Sequence, residues 1–164
     1  MGVREHDAGH TPALRALAAL GVTHEVVRTE RARNIEEAAA SRGVPVAALL
    51  KTIVVRRGED DYLFVLVPGD RGIDWAKLRG RLGIRRMTLP DAVEARAVTG
   101  YERGTITPFG ATNAWPVIAD GSIDPGSTIS LGGGDHGVSV TMSAQAMIDA
   151  LHADVADVTK PLGR

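Results

Sequence analysis

The chain contains no cysteine, which excludes a disulfide scaffold, a thiolate metal site and a cysteine nucleophile. It also lacks an excess of either charge. Nineteen basic and twenty acidic residues leave a formal net charge of −1, so a polyanionic partner must be held by a local basic patch. No apolar run approaches the roughly 18 residues of a membrane span. The stretch Ala13 to Val22 imitates a signal-peptide core, but Arg15 interrupts it and Glu5 and Asp7 stand where positive charge should precede it. His6 occupies the position at which a myristoylation signal needs Ser or Thr. What is present is ordinary globular composition, 44% apolar and 24% charged, in 164 residues. One cytoplasmic domain, residues 1–164, with no membrane association, is the expectation.

The order of elements points to an α+β fold. Thr11-Pro12 is a helix start, Leu14, Leu17 and Leu20 recur at helical spacing, and Gly21 closes the helix. His24 to Thr29 suits a short strand. Asn34 with Glu37 forms a capping-box pattern opening a helix to about Gly43, and Pro45 to Leu50 adds one more turn. Lys51 to Arg57 and Tyr62 to Val67 read as a hairpin around Gly58 to Asp61. A basic helix spans Asp74 to Leu82, a strand Ile84 to Thr88, and a helix Pro90 to Ala97. Val98 to Asn113 lacks periodicity and is expected to be a long loop, a frequent place for function. Strands at Pro116 to Ala119, Thr128 to Leu131 and Val138 to Met142 follow, with a tight turn at Gly132-Gly133-Gly134, before a helix capped by Ser143. This order is not the alternation of a doubly wound parallel sheet. A mixed, mostly antiparallel, barrel-like sheet flanked by helices is expected.

Several chemistries fail at the level of motif. His24-Glu25 begins a zincin pattern, but Arg28 stands where the second His belongs, and histidines 6, 10, 24, 136 and 152 show no ligand spacing. No metal or cofactor is expected. No serine sits in a G-x-S-x-G elbow. The glycine run has no G-K-[ST] after it, and Asp135 would repel an anion. Charge, by contrast, is segregated. Residues 71–86 hold Arg71, Lys77, Arg79, Arg81, Arg85 and Arg86 against Asp74 alone, whereas residues 104–164 hold six aspartates against Lys160 and Arg164. The basic stripe either follows a phosphate backbone or is a solvated face.

Three segments then form a pattern: Lys51 opening K-T-I-V-V, the loop T-G-Y-E-R-G-T-I-T-P-F-G from Thr99 to Gly110, and G-G-G-D-H-G-V-S-V before the last helix. Together they resemble the YbaK / prolyl-tRNA synthetase editing-domain family of aminoacyl-tRNA deacylases, from about Asn34 through the last helix at about His152. The G-x-x-x-P element, Gly104 to Pro108, is the most specific part. Two departures stand out. Arg103 and Thr107 replace the Gly and Ser that many relatives carry beside Gly104 and Pro108. Gly134-Asp135-His136-Gly137 replaces the frequent Gly-x-Arg-Gly.

The resemblance implies metal-independent hydrolysis of the ester joining a wrong amino acid to the terminal adenosine of a tRNA, with Cys- or Ala-tRNA(Pro) as substrates of the family type. It implies a free-standing trans-editing enzyme whose partners are aminoacyl-tRNA and a synthetase such as prolyl-tRNA synthetase. The alternative is a non-catalytic tRNA- or synthetase-binding module of the same fold. By the resemblance Lys51, Gly104 and Pro108 are the catalytic set. An activated ester asks for positioning and oxyanion stabilisation more than for a strong nucleophile. Ile106 lies within the same loop, as a substrate-binding candidate. Thr105 and Thr107 either contact substrate or cap the loop, and His136 either replaces the missing arginine near the tRNA end or is a turn residue. Arg79, Arg81, Arg85 and Arg86 are the tRNA-binding candidates.

Overall fold

In a computed structural model, residues 11–163 are described; His6, His10, Glu5 and Asp7 lie outside them. The elements are helix α1 (Pro12–Leu20), strand β1 (Glu25–Arg28), helix α2 (Ile35–Arg42), a 3-10 turn (Val46–Ala48), β2 (Leu50–Gly58), β3 (Asp61–Pro68) and β4 (Arg71–Ile73). Helix α3 (Trp75–Leu82), α4 (Ala92–Thr99), β5 (Val117–Asp120), β6 (Thr128–Asp135), β7 (Val138–Ser143), α5 (Ala144–Leu151), β8 (Asp154–Ala156) and β9 (Thr159–Pro161) complete the chain. Each of these α-helices begins on a side-chain cap, the expected one at Thr11, Asn34 and Ser143 and a further one at Asp74 and Asp91; all five accept an amide of the first turn. Glu37 answers Asn34 by accepting from the backbone of Arg33, one residue short of the reciprocal box.

Three sheets result: β1-β7-β6, β2-β3-β5-β8 and β4-β9. The first and third are antiparallel, as is β2-β3, whereas β3-β5 and β5-β8 are parallel. A parallel bridge from Leu49 to Ser130 joins the two larger sheets into the expected barrel-like arrangement. Strand β3 explains the densest apolar run of the sequence. Phe64 and Leu66 face a core shared with α1, β6, β7 and α5, while Leu63, Val65 and Val67 face a second core under α3. A strand buried on both faces needs no alternation.

Three expectations change. Ile84 to Thr88 is not a strand. Only Thr88 reaches β2, as a bridge to Arg56, because Gly83 turns the chain and Arg85 and Arg86 remain in solvent. The glycine run is not the turn but the end of β6, with the reversal one step later at His136-Gly137 and a register shift between Gly132 and Asp135. These glycines are sites of close approach. A Cβ on Gly132 would stand 3.3 Å from the Ile106 carbonyl oxygen, and one on Gly134 (φ +93°) would stand 2.9 Å from the Tyr101 ring. Strands β4, β8 and β9, three residues each, are additional to the expected set; they have too few residues to show a period.

Candidate active site

Strand β2 is an edge strand, and the site follows from that. In an antiparallel ladder a residue's N–H and C=O point to the same side, alternating along the strand. Arg56 exchanges both its bonds with Thr88, away from β3 (2.8 and 3.0 Å). The main-chain groups of Val54 and Thr52 therefore point outward too. Phe64, the register partner of Val54, confirms the phase by donating away from β2, to the Pro116 carbonyl. Between the Leu49–Ser130 and Arg56–Thr88 bridges the edge is open. A cavity of about 420 Å³ lies there, bounded by Leu50 to Val54, by Leu89, Pro90, Ala92 and Ala95, by Arg103, Gly104 and Ile106, and by Arg42 and Gly132.

The loop Gly100 to Pro116 is held rigidly against this edge. Tyr101, buried, donates to the Phe109 carbonyl at 2.6 Å and so ties the loop's start to its end. Burial pushes the Tyr101 phenol up to about 12. Gly132 gives the Thr105 and Ile106 carbonyls a bed without a side chain. Within the loop the Thr105 amide and hydroxyl both donate to the Glu102 carbonyl, and the Thr107 hydroxyl accepts the Phe109 amide. Both threonines are buried and neither lines the cavity; in the described structure they shape the loop. Pro108 also stands off the cavity wall. The amides of Gly104 and Ile106 meet no acceptor among the described residues, and Gly104 is exposed at φ +90°.

Lys51 is on the wall, but its ammonium is drawn to the opposite face of β2, where it donates to the Arg71 carbonyl at 2.7 Å. Burial lowers its pKa, opposed by the nearby charge of Asp70. The Thr52 hydroxyl, also at the cavity, is buried without a hydrogen-bond partner among the described residues. His136 stands outside the cavity, 3.9 Å from where a Gly104 Cβ would be, and pairs with Glu102 at 3.2 Å. His24, of the failed zincin pattern, contacts the Val22 carbonyl. Among the described residues, no group of three His, Asp or Glu side chains could hold a metal ion.

Sequence reasoning missed Arg42 and Thr52. Arg42 closes α2, where a basic residue reads simply as a partner of the helix dipole. Thr52 is one threonine in a strand that favours threonine. The stripe at 71–86 divides. Arg71 lies 3.8 Å from Asp120, Lys77 pairs with Asp157 at 3.0 Å, and Arg81 donates to Asp154 at 3.0 Å. Arg79, Arg85 and Arg86 are exposed and have no ion pair among the described residues.

The family described as "Aminoacyl-tRNA editing domain" matches residues 29–150. The chain belongs to that family. It is 32% identical over 111 residues to the proline–tRNA ligase of Thermosipho africanus, covering 68% of this chain and 19% of that enzyme. It is 23% identical over 136 residues to an Enterococcus faecalis protein named "Putative Cys-tRNA(Pro)/Cys-tRNA(Cys) deacylase EbsC", covering 83% of each. The chain thus spans about a fifth of the ligase and most of the free-standing relative. A solved structure described as "a putative trans-editing enzyme for prolyl tRNA synthetase" superposes with a TM-score of 0.82 at 24% identity, over 91% of this chain and 95% of that one. At that identity the likeness shows the fold. No helix among the described residues is long and apolar enough to cross a membrane.

Proposed function

We propose that this protein is a trans-editing aminoacyl-tRNA deacylase, hydrolysing the ester of a mischarged tRNA of the Cys- or Ala-tRNA(Pro) type. One observation carries the reading: the open edge of β2 and the Gly104–Ile106 stretch, both within the residues that the family matches, line one cavity. The ester carbonyl enters beside Gly104, where its developing oxyanion meets main-chain amides that the loop leaves unused. Such preorganised donors act most strongly where water is displaced. The α-ammonium of the aminoacyl group goes to the neutral acceptors across the cavity, the outward carbonyls of Thr52 and Val54 and the Thr52 hydroxyl. A water adds to the ester carbon, the bond to the ribose oxygen breaks, and the proton passes to that oxygen. Lys51 contributes a positive charge at the strand start, with ammonium protons to spare beyond the one given to Arg71.

Gly104 allows the close approach, and Pro108 stiffens the loop in which Ile106 meets the aminoacyl group. Thr105 and Thr107 act by holding the loop's shape. His136, beside Gly104 at the rim, is placed for the nucleotide rather than the amino acid. Arg79, Arg85 and Arg86 form the outer tRNA contact. Prolyl-tRNA synthetase, the relative that carries such a domain covalently, is the partner class we favour, and the translational role is our ground for favouring the cytoplasm. The chain is read as one unit, since both cores share the sheet β2-β3-β5-β8.

Incubation with a panel of mischarged tRNAs tests this. Release of amino acid from Cys- or Ala-tRNA(Pro), with Pro-tRNA(Pro) spared, is the expected result. A panel left intact would remove the assignment.

A further inference from the structure

Seven basic side chains among the described residues carry a carboxylate partner. Arg33, Arg56, Arg57, Arg71, Lys77, Arg81 and Arg96 all lie within 4 Å of one. The cations of the cavity do not. Its lining holds Arg42, Lys51 and Arg103 and no Asp or Glu. None of the three has an ion pair among the described residues. Arg42 is the telling case. It is half-buried, burial lowers its pKa, and its contact is a long one, 3.4 Å, to the neutral hydroxyl of Ser130. A desolvated guanidinium without a counter-charge is costly unless a ligand supplies one. Its planar fork suits a bidentate oxyanion such as phosphate.

The substrate proposed above is charged in a way that fixes its orientation. Its amino acid is esterified, so it brings a cation and no carboxylate at that end; its anions are the phosphodiesters of the 3′-terminal nucleotides. We propose that Arg42 and Arg103 clamp the phosphodiesters next to the terminal adenosine, Arg42 from the α2 side of the cavity and Arg103 from the loop. The inference rests on the deacylase reading and extends it by two residues. By the resemblance, many relatives carry glycine where Arg103 stands, so the loop half of this grip departs from the family pattern. The same two charges disfavour the α-ammonium at their end and direct it to the Thr52 edge.

The test uses the trinucleotide CpCpA, which carries two phosphodiesters and no aminoacyl ester, with adenosine as the neutral control. Binding is measured by calorimetry at several salt concentrations for wild type, Arg42→Gln and Arg103→Gln. Arg103 lies on an exposed loop, so its variant tests the clamp even if Arg42→Gln misfolds. Each variant is expected to weaken CpCpA binding roughly tenfold to a hundredfold, as for other charged hydrogen bonds, with adenosine binding unchanged. Each is also expected to lower the magnitude of the log K against log salt slope by about 0.7, the single-strand value per phosphate contact. Unchanged affinity and slope in Arg103→Gln would overturn the clamp, as would failure of the wild type to bind CpCpA more tightly than adenosine. Deacylation of mischarged tRNA by the same wild-type preparation decides the underlying reading separately.

Discussion

Replacing Tyr101 by Phe removes one oxygen and should be felt in both stability and catalysis. The hydroxyl donates to the Phe109 carbonyl at 2.6 Å, closing the stretch that contains Gly104, Ile106 and Pro108, and both rings are buried. Without it a buried carbonyl loses its donor, at a cost of about 1–3 kcal/mol. The same group makes the wild-type protein sensitive to alkali. Its pKa is pushed up to about 12 by burial, against about 10 when exposed in the unfolded chain. Between these values the unfolded state has released the proton and the folded state has kept it. Stability is therefore full below pH 10, falls as pH rises toward 12, and levels off above. The loss amounts to roughly 2–3 kcal/mol for a shift of this size.

Urea unfolding from pH 8 to pH 11.5 reads both effects. At pH 8, Tyr101→Phe should be less stable than wild type. Its alkaline limb should be shallower, though not flat, because the Tyr62 hydroxyl, hydrogen-bonded to Glu94, also has a raised pKa. Single-turnover deacylation at pH 8 should slow as the loop loosens. Parallel alkaline limbs in the two proteins would refute the placement of a neutral, buried phenol at the loop's neck.

Asp120 governs the acid side. Burial works against its charge, but hydrogen bonds from Ser122, the Val158 amide and Thr159 outweigh burial and hold its pKa below the ordinary value. Its stabilisation is thus present above the unfolded carboxylate pKa and lost as pH falls through the folded one; Asp120→Asn should cost about 1–3 kcal/mol at pH 7 and flatten the acid limb of a melting-temperature profile. Lys51→Ala should reduce single-turnover deacylation by about 10²–10³ with melting temperature little changed, and a wild-type rate would remove Lys51 from the site. Gly104→Val meets only the His136 ring at ordinary contact distance but has no allowed φ, so activity should fall further than stability, as thermal melting beside the deacylation rate will show. Arg85→Ala with Arg86→Ala should weaken tRNA binding and reduce the salt slope by up to about 1.4–1.8; an unchanged slope would make these residues a solvated turn.

The capped helices and the β2-β3 hairpin were legible in the sequence because local chemistry decides them. Thr11, Asn34 and Ser143 cap whatever tertiary structure surrounds them. Lys51, Gly104 and Pro108 were legible only as a pattern, since no single one of them is unusual. What the sequence hid depends on packing across long separations. Gly132 and Gly134 read as a turn because glycine signals freedom and crowding with the same letter. Their neighbours, Ile106 and Tyr101, are more than twenty residues away. Arg42 had no local signal at all. Its importance lies in the carboxylate that it lacks, and only the folded cavity shows that.

The segregated charges of the sequence have the same lesson at larger scale. Read as a row, residues 71–86 form a strong positive field; in the fold, β4 and α3 lie along β8 and β9, and Asp120, Asp154 and Asp157 come to Arg71, Arg81 and Lys77. The exposed pairs at Lys77 and Arg81 add little stability, about 0–1 kcal/mol each. Their larger effect is on the field, because each pair cancels a charge that a polyanion would otherwise see. Arg79, Arg85 and Arg86 then stand out against a neutralised background, as Arg42 and Arg103 do within the cavity. A protein of net charge −1 can attract tRNA only through such residues, so affinity should follow the number of unpaired cations on the path from α3 to the cavity, and not the number of cations in the chain.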